Sequence, residues 1–509
     1  MDLYRILEHS VRLYSDKTAV TSAKGTLTYK GFMDTAERLG SALYGLGLSP
    51  GDRVAVLDHN SIELAVAHFG LPACSLVTLP LNTRLSKDEL LGIIHNARAS
   101  ALIYSPPFEQ TVAALAPDLP FLKARICTEQ AAGNLDLRQL MAHASPAALQ
   151  RPRPGDLATL LYTSGTTGVP KGVKLTHANT ASTLVSLLVE LGLTPEDSGL
   201  MVAPFFHVAG CHTYMAHIAR GCTVNILPAF EPQSTLEALE QTRASVTLLV
   251  PAMIGALLNL PGQEKADLSA LRLVVYAGAP MPEKLLKKAL ERLGNVFFQI
   301  YGLTETSVLT CLTREDHQKP ELLTSGGREM YGCRVRIVDE KGRETEPGGI
   351  GQIVAGGDNV TSGYWEAPEE TAAVMKSEFF DTGDIAVRNE QGYVFLRDRK
   401  KDMIVTGGEN VYPVEVENVL TEIPGVLEAA VIGVPDEKWG ERVMALVHLK
   451  QGATATEEDI VSYCQKRLAK YKCPKTVAFL DPLPRTPSGK IRKNVLREPY
   501  WEGFSRRIH

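Results

Sequence analysis

Short apolar runs alternate with helically spaced segments through the first three quarters of the chain, and this alternation constrains the fold more than any other feature. Arg53-Val-Ala-Val-Leu57 is a short apolar run, and residues 61–70 then carry helical spacing. Leu76-Val-Thr-Leu-Pro80 repeats the strand signal, and Ser86-Lys-Asp-Glu-Leu-Leu opens a helix with a capping-box-like Ser86/Glu89 pair. Residues 246–250 lead into Pro251 and an apolar helix, and residues 272–276 lead into Gly278-Ala-Pro280. Such a pattern predicts α/β layers with mostly parallel strands, whose ligands gather at the strands' C-terminal ends. No repeat with a solenoid's period of roughly 20–50 residues is present.

At 509 residues the chain exceeds one ordinary core, so two or more domains are expected. The pattern changes near residue 397. Leu396-Arg-Asp-Arg-Lys-Lys-Asp402 is a dense charge run, followed by Met403-Ile-Val-Thr and Gly407-Gly408. Beyond it, Pro413-Val-Glu-Val-Glu-Asn-Val-Leu420 has helical spacing and Ala429-Ala-Val-Ile-Gly-Val434 reads as a strand. A charge run alone is usually a solvated turn, but this one separates two compact segments. The expectation is a large N-terminal domain of layered sheets and helices over 1–397, a hinge at 398–402, and a small, mobile α+β domain over 403–509.

The composition is 44% hydrophobic and 22% charged with a formal net charge of −5, which suits a soluble globular protein and shows no basic surplus for nucleic acid. Eight scattered cysteines form no CxxC pair and read as reduced thiols in a cytoplasmic protein. Asn359-Val-Thr361 fits a glycosylation sequon, but the N-terminus reads as an amphipathic helix and not a secretory signal, so the match is taken as chance. Residues 198–219 and 244–263 are long uncharged stretches, interrupted by Pro204, His207, His212 and His217 in one and by Pro251, Gly255, Asn259 and Pro261 in the other. These breaks favour buried strand-turn-helix pieces, natural walls of an apolar pocket, over transmembrane segments.

Residues 162–172 read Tyr-Thr-Ser-Gly-Thr-Thr-Gly-Val-Pro-Lys-Gly, after the strand-like Leu157-Ala-Thr-Leu-Leu161. Glycines let backbone N–H groups close on an anion, hydroxyls add donors, and lysine supplies charge. The string is not a Walker A loop, because Pro170, Lys171 and Gly172 stand where Gly-Lys-Ser/Thr is required. A flexible surface loop is the bland alternative.

The full string closely resembles the phosphate loop of the adenylate-forming superfamily, which comprises acyl- and aryl-CoA synthetases, carrier-loading adenylation domains and beetle luciferases. The likeness returns in order along nearly the whole chain and is nearest in pattern to stand-alone acyl-CoA synthetases. Pro204-Phe-Phe-His207 resembles the aromatic-histidine element beside the acyl pocket, with His207 as gate or wall near the carboxylate. Gly278-Ala279-Pro280 and Gln299-Ile-Tyr301-Gly302-Leu-Thr304-Glu305 resemble the adenine and magnesium elements. Phe380-Asp-Thr-Gly-Asp384 resembles the ribose motif, Arg399-Lys-Lys401-Asp402 the hinge motif, and Gly407-Gly-Glu-Asn410 and Pro487-Ser-Gly-Lys490 complete the set.

The resemblance implies an ATP-dependent carboxylic acid:CoA ligase that makes an acyl-AMP, releases pyrophosphate and passes the acyl group to CoA. Both reactants of the first step are anions, so charge must be neutralised and the groups aligned. By resemblance Thr163, Ser164, Gly165, Thr166, Thr167, Gly168 and Lys171 hold the phosphates, and Thr304 contacts phosphate. Glu305 supplies an oxygen ligand for Mg²⁺. Asp384 accepts from the ribose hydroxyls, Arg399 donates to the same sugar, and Tyr301 offers a face to adenine. Lys490 bridges carboxylate and α-phosphate. The C-terminal domain then turns about Lys401, bringing Gly407 and Gly408 to the pantetheine tunnel. Trp439 matches a tryptophan near that entry, or else packs within its domain.

Spacings of five between His207, His212 and His217 place no pair on one helical face, so zinc is not expected and the latter two read as packing residues. Three departures from the common pattern stand out: Asp398 before Arg399, Gly351-Gln-Ile353, and Ala277-Gly278-Ala279. With no Lys or Arg between Lys174 and Arg220, the pocket segments favour a fatty, aromatic or alicyclic acid over one with a second carboxylate. A loader of carrier-protein thiols and a non-catalytic nucleotide-binding scaffold are the alternatives. Oligomeric state is left open, a homodimer included.

Overall fold

The computed structural model describes residues 1–129, 135–144, 149–163, 170–485 and 490–502. The chain forms two compact units, Met1–Val335 with Ala355–Asp381, and Arg336–Val354 with Thr382–His509. The chain therefore crosses between units within the strands Cys333–Val338, Ile350–Gly357 and Phe379–Arg388. The expected hinge at 398–402 lies inside the second unit, as do Asp384 and residues 336–354.

Among the described residues the first unit holds two large sheets. One has seven strands in the order Leu135–Asp136, Ala124–Cys127, Ala99–Tyr104, Arg53–Leu57, Val77–Pro80, Leu157–Thr163, Lys171–Thr176. All its pairings are parallel except the last, where Leu157–Thr163 runs antiparallel to Lys171–Thr176. The other has nine strands, and its centre (Phe297–Tyr301, Leu273–Tyr276, Val246–Leu249, Ser198–Met201, Thr223–Ile226) is parallel throughout. These strands are short and almost wholly buried, as the apolar runs require of a sheet covered on both faces.

Local signals set the helices between them. The helix Leu3–Tyr14 is capped by Asp2, Ile62–Ala73 by Ser61, and Lys87–Ala97 by a full Ser86/Glu89 capping box. The two long uncharged stretches are strand-turn-helix pieces: Ser198–Met201 with the largely buried Val208–Arg220, and the buried Val246–Leu249 with Pro251–Leu258, a helix that buries only Pro251, Ile254 and Leu258. Among the described residues no helix is long and apolar enough to cross a membrane.

The second unit carries a sheet ordered Glu409–Val411, Ile404–Thr406, Gly440–Leu449, Val426–Asp436, with Thr476–Phe479 pairing Gly440–Leu449. The helices Pro413–Thr421 and Glu457–Gln465 pack on it around Val416, Leu420, Val431, Ala445 and Ile460. The α+β character expected of the C-terminal region is thus present. All eight cysteines are buried free thiols, and Asn359 of the sequon is fully buried.

Candidate active site

Four neighbouring parallel strands of the first unit end on one rim, and the expected nucleotide and acid elements leave from their C-terminal ends. Tyr301 closes Phe297–Tyr301. Gly278-Ala279-Pro280 follows Leu273–Tyr276, Pro251 opens a helix after Val246–Leu249, and Pro204–His207 follows Ser198–Met201. Gly278, Ala279 and Pro280 are exposed, and Gly278 has φ +85°, a left-handed turn that suits glycine. A Cβ at Gly302 would meet Ser307 O at 2.4 Å, so the turn after Tyr301 closes only on glycine. Thr304 and Glu305 follow it, both partly exposed.

A second turn buttresses this one. Asn359 donates its side-chain amide to Thr306 O and Val308 O, both at 2.7 Å, and Thr361 N donates to Glu305 O at 2.7 Å. Tyr364 then reaches Glu305, its hydroxyl donating to Oε1 at 2.9 Å. The Lys171 ammonium lies 5.4 Å from the centroid of the same Tyr364 ring, within cation–π range. Val173 bridges Tyr364, and Gly172 O accepts from Trp365 N at 2.7 Å. The lysine at one end of the Gly/Thr run and the carboxylate expected to bind metal therefore flank one aromatic ring. Thr163 pairs with Lys171 across the antiparallel strands, so the two bracket the run. Ser164, Gly165, Thr166, Thr167 and Gly168 lie outside the described residues.

His207 is the N-cap residue of Val208–Arg220 and is partly exposed, its ring 4.7 Å from that of Phe206. Its turn is held from two sides. A Cβ at Gly210 would meet Pro204 O at 2.2 Å, and Asn60 both donates to Ala203 O (2.9 Å) and accepts from Phe205 N (2.8 Å). His212 and His217 are buried on the helix, and burial pushes both down to about 4. His68, beside Cys211 at 3.3 Å, is pushed to about 3 by the same cause. Ile254, Leu257 and Leu258 of the apolar segment at 251–258 do wall a cavity, with Leu236 and Leu249, but its volume of about 20 Å³ is a packing gap and not an acid-sized pocket.

In the second unit Asp384 and Arg399 face each other across adjacent strands, and Arg399 Nε donates to Asp384 Oδ1 at 2.6 Å. Asp384 is buried while Arg399 is partly exposed. The nearby Asp398 accepts from Arg399 N (2.7 Å) and from Val414 N (2.9 Å), so the residue that departs from the common glycine tethers the strand to the helix Pro413–Thr421. Burial pushes its carboxyl up to about 6, with Lys493 opposing and Glu417 reinforcing the shift. Asp402 pairs with Arg497 at 2.7 Å, and Lys493 with Glu417 at 2.7 Å. Burial would raise Asp402, but Arg497 and Lys493 outweigh it and hold it below the usual carboxylate range.

Lys401 is exposed in the turn that Asp402 N and Met403 N close on Arg399 O. Gly407 and Gly408 form the turn between Ile404–Thr406 and Glu409–Val411, at φ +60° and +84°. Trp439 lies on that turn: Gly407 N donates to Trp439 O at 2.8 Å, and a Cβ at Gly407 would meet the indole at 2.6 Å. Trp439 is nevertheless 48% exposed, so packing against Gly407 and an open indole face coexist. Lys490 is exposed, directly before the Ile491 that bridges Arg485.

Residues 7–365 match the family model described as AMP-binding enzyme, and residues 415–490 match the AMP-binding enzyme C-terminal domain. The chain belongs to the adenylate-forming AMP-binding enzymes. A feruloyl-CoA synthase of Amycolatopsis sp is 39% identical over 96% of this chain and 97% of its own. A fatty acid–[acyl-carrier-protein] ligase of Streptomyces coeruleorubidus is 34% identical over 96% and 95%. The ATP-bound crystal structure of MatB from Rhodopseudomonas palustris superposes with a TM-score of 0.89 at 34% identity, covering 99% of each chain. The family is one of AMP-forming acid–CoA ligases, so the non-catalytic alternative falls away.

Tyr364, Asn60 and Asn359 escaped the sequence reading of this adenylate-forming enzyme. A glycine–aromatic pair, Gly363-Tyr364, was the available signal for the first. Gly363 has φ +109° and a Cβ there would meet Thr371 Cγ2 at 2.4 Å. For Asn60 the signal was a polar cluster, Asp58-His-Asn-Ser61, at a strand's C-terminal end.

Proposed function

We propose that the enzyme activates an apolar carboxylic acid, aromatic or fatty, with ATP and transfers the acyl group from the adenylate to the thiol of CoA. The observation that carries this reading is the convergence of Lys171 and Glu305 on Tyr364 beside the rim that bears Tyr301, Gly278–Pro280 and His207. A cation and a carboxylate held about one ring suit a polyphosphate and its counter-ion. Tyr301 and Gly278-Ala279-Pro280 bound the base, and Asp384 with Arg399 receives the ribose.

Glu305 suits Mg²⁺. The ion is held in nucleotide enzymes by one or two carboxylates, with phosphates and water filling its octahedron. Among the described residues no cluster of three His, Cys, Asp or Glu forms a dedicated cage, and Glu305 is partly exposed. When bound, the ion would neutralise phosphate charge. Tyr364 orients the carboxylate, Thr304 donates to phosphate, and Lys171 offsets the leaving pyrophosphate.

Lys490 aligns the acid carboxylate with the α-phosphorus in the first step. Turning about Lys401, within a division near 398–402, then exchanges Lys490 for Gly407, Gly408 and Trp439 at the thiol's approach. The apolar character of the acid is supported by Val208, Ala209, Ala252 and Met253 at the rim, none of them charged. The feruloyl-CoA and fatty-acid relatives act on acids of that kind.

The carrier-protein ligase among the relatives keeps a second acceptor in view, a pantetheine thiol on a protein. Incubation with ATP, Mg²⁺ and a panel of aryl, alicyclic and fatty acids, with CoA or holo-carrier protein as acceptor, separates the two. AMP formed with CoA and an apolar acid supports the first reading. AMP formed only with carrier protein supports the second.

A further inference from the structure

Tyr276 and Gln299 are paired across adjacent parallel strands at the same rim, and Gln299 shares its strand face with Tyr301, two residues on. Tyr276 and His317 are buried, while Gln299 is partly exposed, so Gln299 is the outermost of the three. The Tyr276 hydroxyl lies 2.9 Å from His317 Nε2 and 3.0 Å from Gln299 at Oε1. His317 Nδ1 lies 2.6 Å from Thr313 O.

Proton accounting orders this chain. A carbonyl oxygen only accepts, so His317 Nδ1 carries the hydrogen and donates to Thr313 O. Burial holds the imidazole below its usual pKa and therefore neutral, which leaves Nε2 an acceptor. The single phenolic hydrogen of Tyr276 goes to Nε2, and none is left for Gln299. The ends of a glutamine amide exchange by a half-turn of χ3, so the satisfied arrangement has Gln299 Nε2 donating to the tyrosine oxygen. The Gln299 carbonyl then faces away from Tyr276.

We propose that Tyr276 and His317 are positioning residues that set base specificity by fixing which end of the Gln299 amide is turned outward. This rests on the reading of Tyr301 and Gly278–Pro280 as the wall of the nucleotide base. An outward carbonyl accepts from an amino substituent and opposes an oxo substituent, so the site takes a 6-aminopurine and disfavours a 6-oxopurine. Without the Tyr276–His317 pair the amide is free to turn and offers either end.

The test compares acid-dependent pyrophosphate release with ATP and with ITP, as kcat and KM separately. The wild type favours ATP. Tyr276→Phe should lower the ATP-over-ITP ratio of kcat/KM about tenfold, the worth of one hydrogen bond, through KM, with the acid's KM unmoved. His317→Ala should do the same and serves if the phenylalanine variant fails to fold. Gln299→Glu has oxygen at both ends, so adding Tyr276→Phe to it should leave the ratio unmoved. A folded, active Tyr276→Phe or His317→Ala with the wild-type ratio overturns the inference, as does a wild type that uses ITP as well as ATP. Absence of nucleotide-dependent pyrophosphate release from the wild type with any acid overturns the underlying nucleotide reading instead.

Discussion

Arg399 and Asp384 stand opposite each other on neighbouring strands, with Nε donating to Oδ1 at 2.6 Å. The guanidinium is partly exposed, so the pair contributes at the low end of charged hydrogen bonds, about 1–2 kcal/mol after screening. In the proposed ribose role, loss of the Asp384 charge tells on nucleotide binding more than on stability. Asp384→Asn keeps shape and one acceptor, and is expected to raise the KM for ATP about tenfold with little change in melting temperature. Asp384→Ala should raise it further. Steady-state kinetics at saturating acid and CoA check this.

Tyr364→Phe removes the hydroxyl that donates to Glu305 and keeps the ring beneath Lys171. Half-saturation by Mg²⁺ should shift upward several-fold while the acid's KM holds. Glu305→Gln should weaken Mg²⁺ dependence far more. Titration of initial rate against free Mg²⁺ distinguishes the two.

Four of the five buried histidines in the first unit, His317 aside, are shifted far enough to make it acid-sensitive. His68 is held at about 3, and His177, His212 and His217 at about 4, all by burial. Unfolded histidine titrates near 6.5, so between that value and about 4 the unfolded state binds protons that the folded state refuses. Stability is therefore lost as pH falls through this window, by about 2 kcal/mol for each group at pH 5. Urea midpoints measured from pH 7.5 to 5 should fall steeply. Of the four, His217→Gln should shallow the slope by about one proton's worth.

Lys490→Ala should lower adenylate formation by roughly 10²–10³-fold, the scale of one lost charge-stabilising donor. Thioester formation from supplied acyl-adenylate should be largely spared. Rapid-quench assays of each half-reaction decide it, and equal loss in both would contradict a role confined to the first step.

Sequence legibility followed range of interaction. Ser86 and Glu89 were readable because both halves of their bond lie three residues apart. The parallel strands were readable because burial on both faces leaves unbroken apolar runs at 54–57 and 273–276. Tyr364 was not, since its partners Glu305 and Lys171 are remote in sequence and the local Gly363-Tyr364 pair names neither of them. Asp398 stood out only as a departure from a motif, and its tether to Val414 N needed coordinates. Residues 336–354 read as part of the large domain, but their contacts lie with the second unit. Asp384 and Arg399 were found by resemblance, and their mutual ion pair was not foreseen.

Exchange of labelled pyrophosphate into ATP, run without CoA or any other thiol, tests the central claim most directly. Exchange that requires both Mg²⁺ and an apolar acid, followed by equimolar AMP and thioester when CoA is added, is the predicted result. Nucleotide turnover that yields ADP and phosphate, or exchange indifferent to the acid, would contradict it.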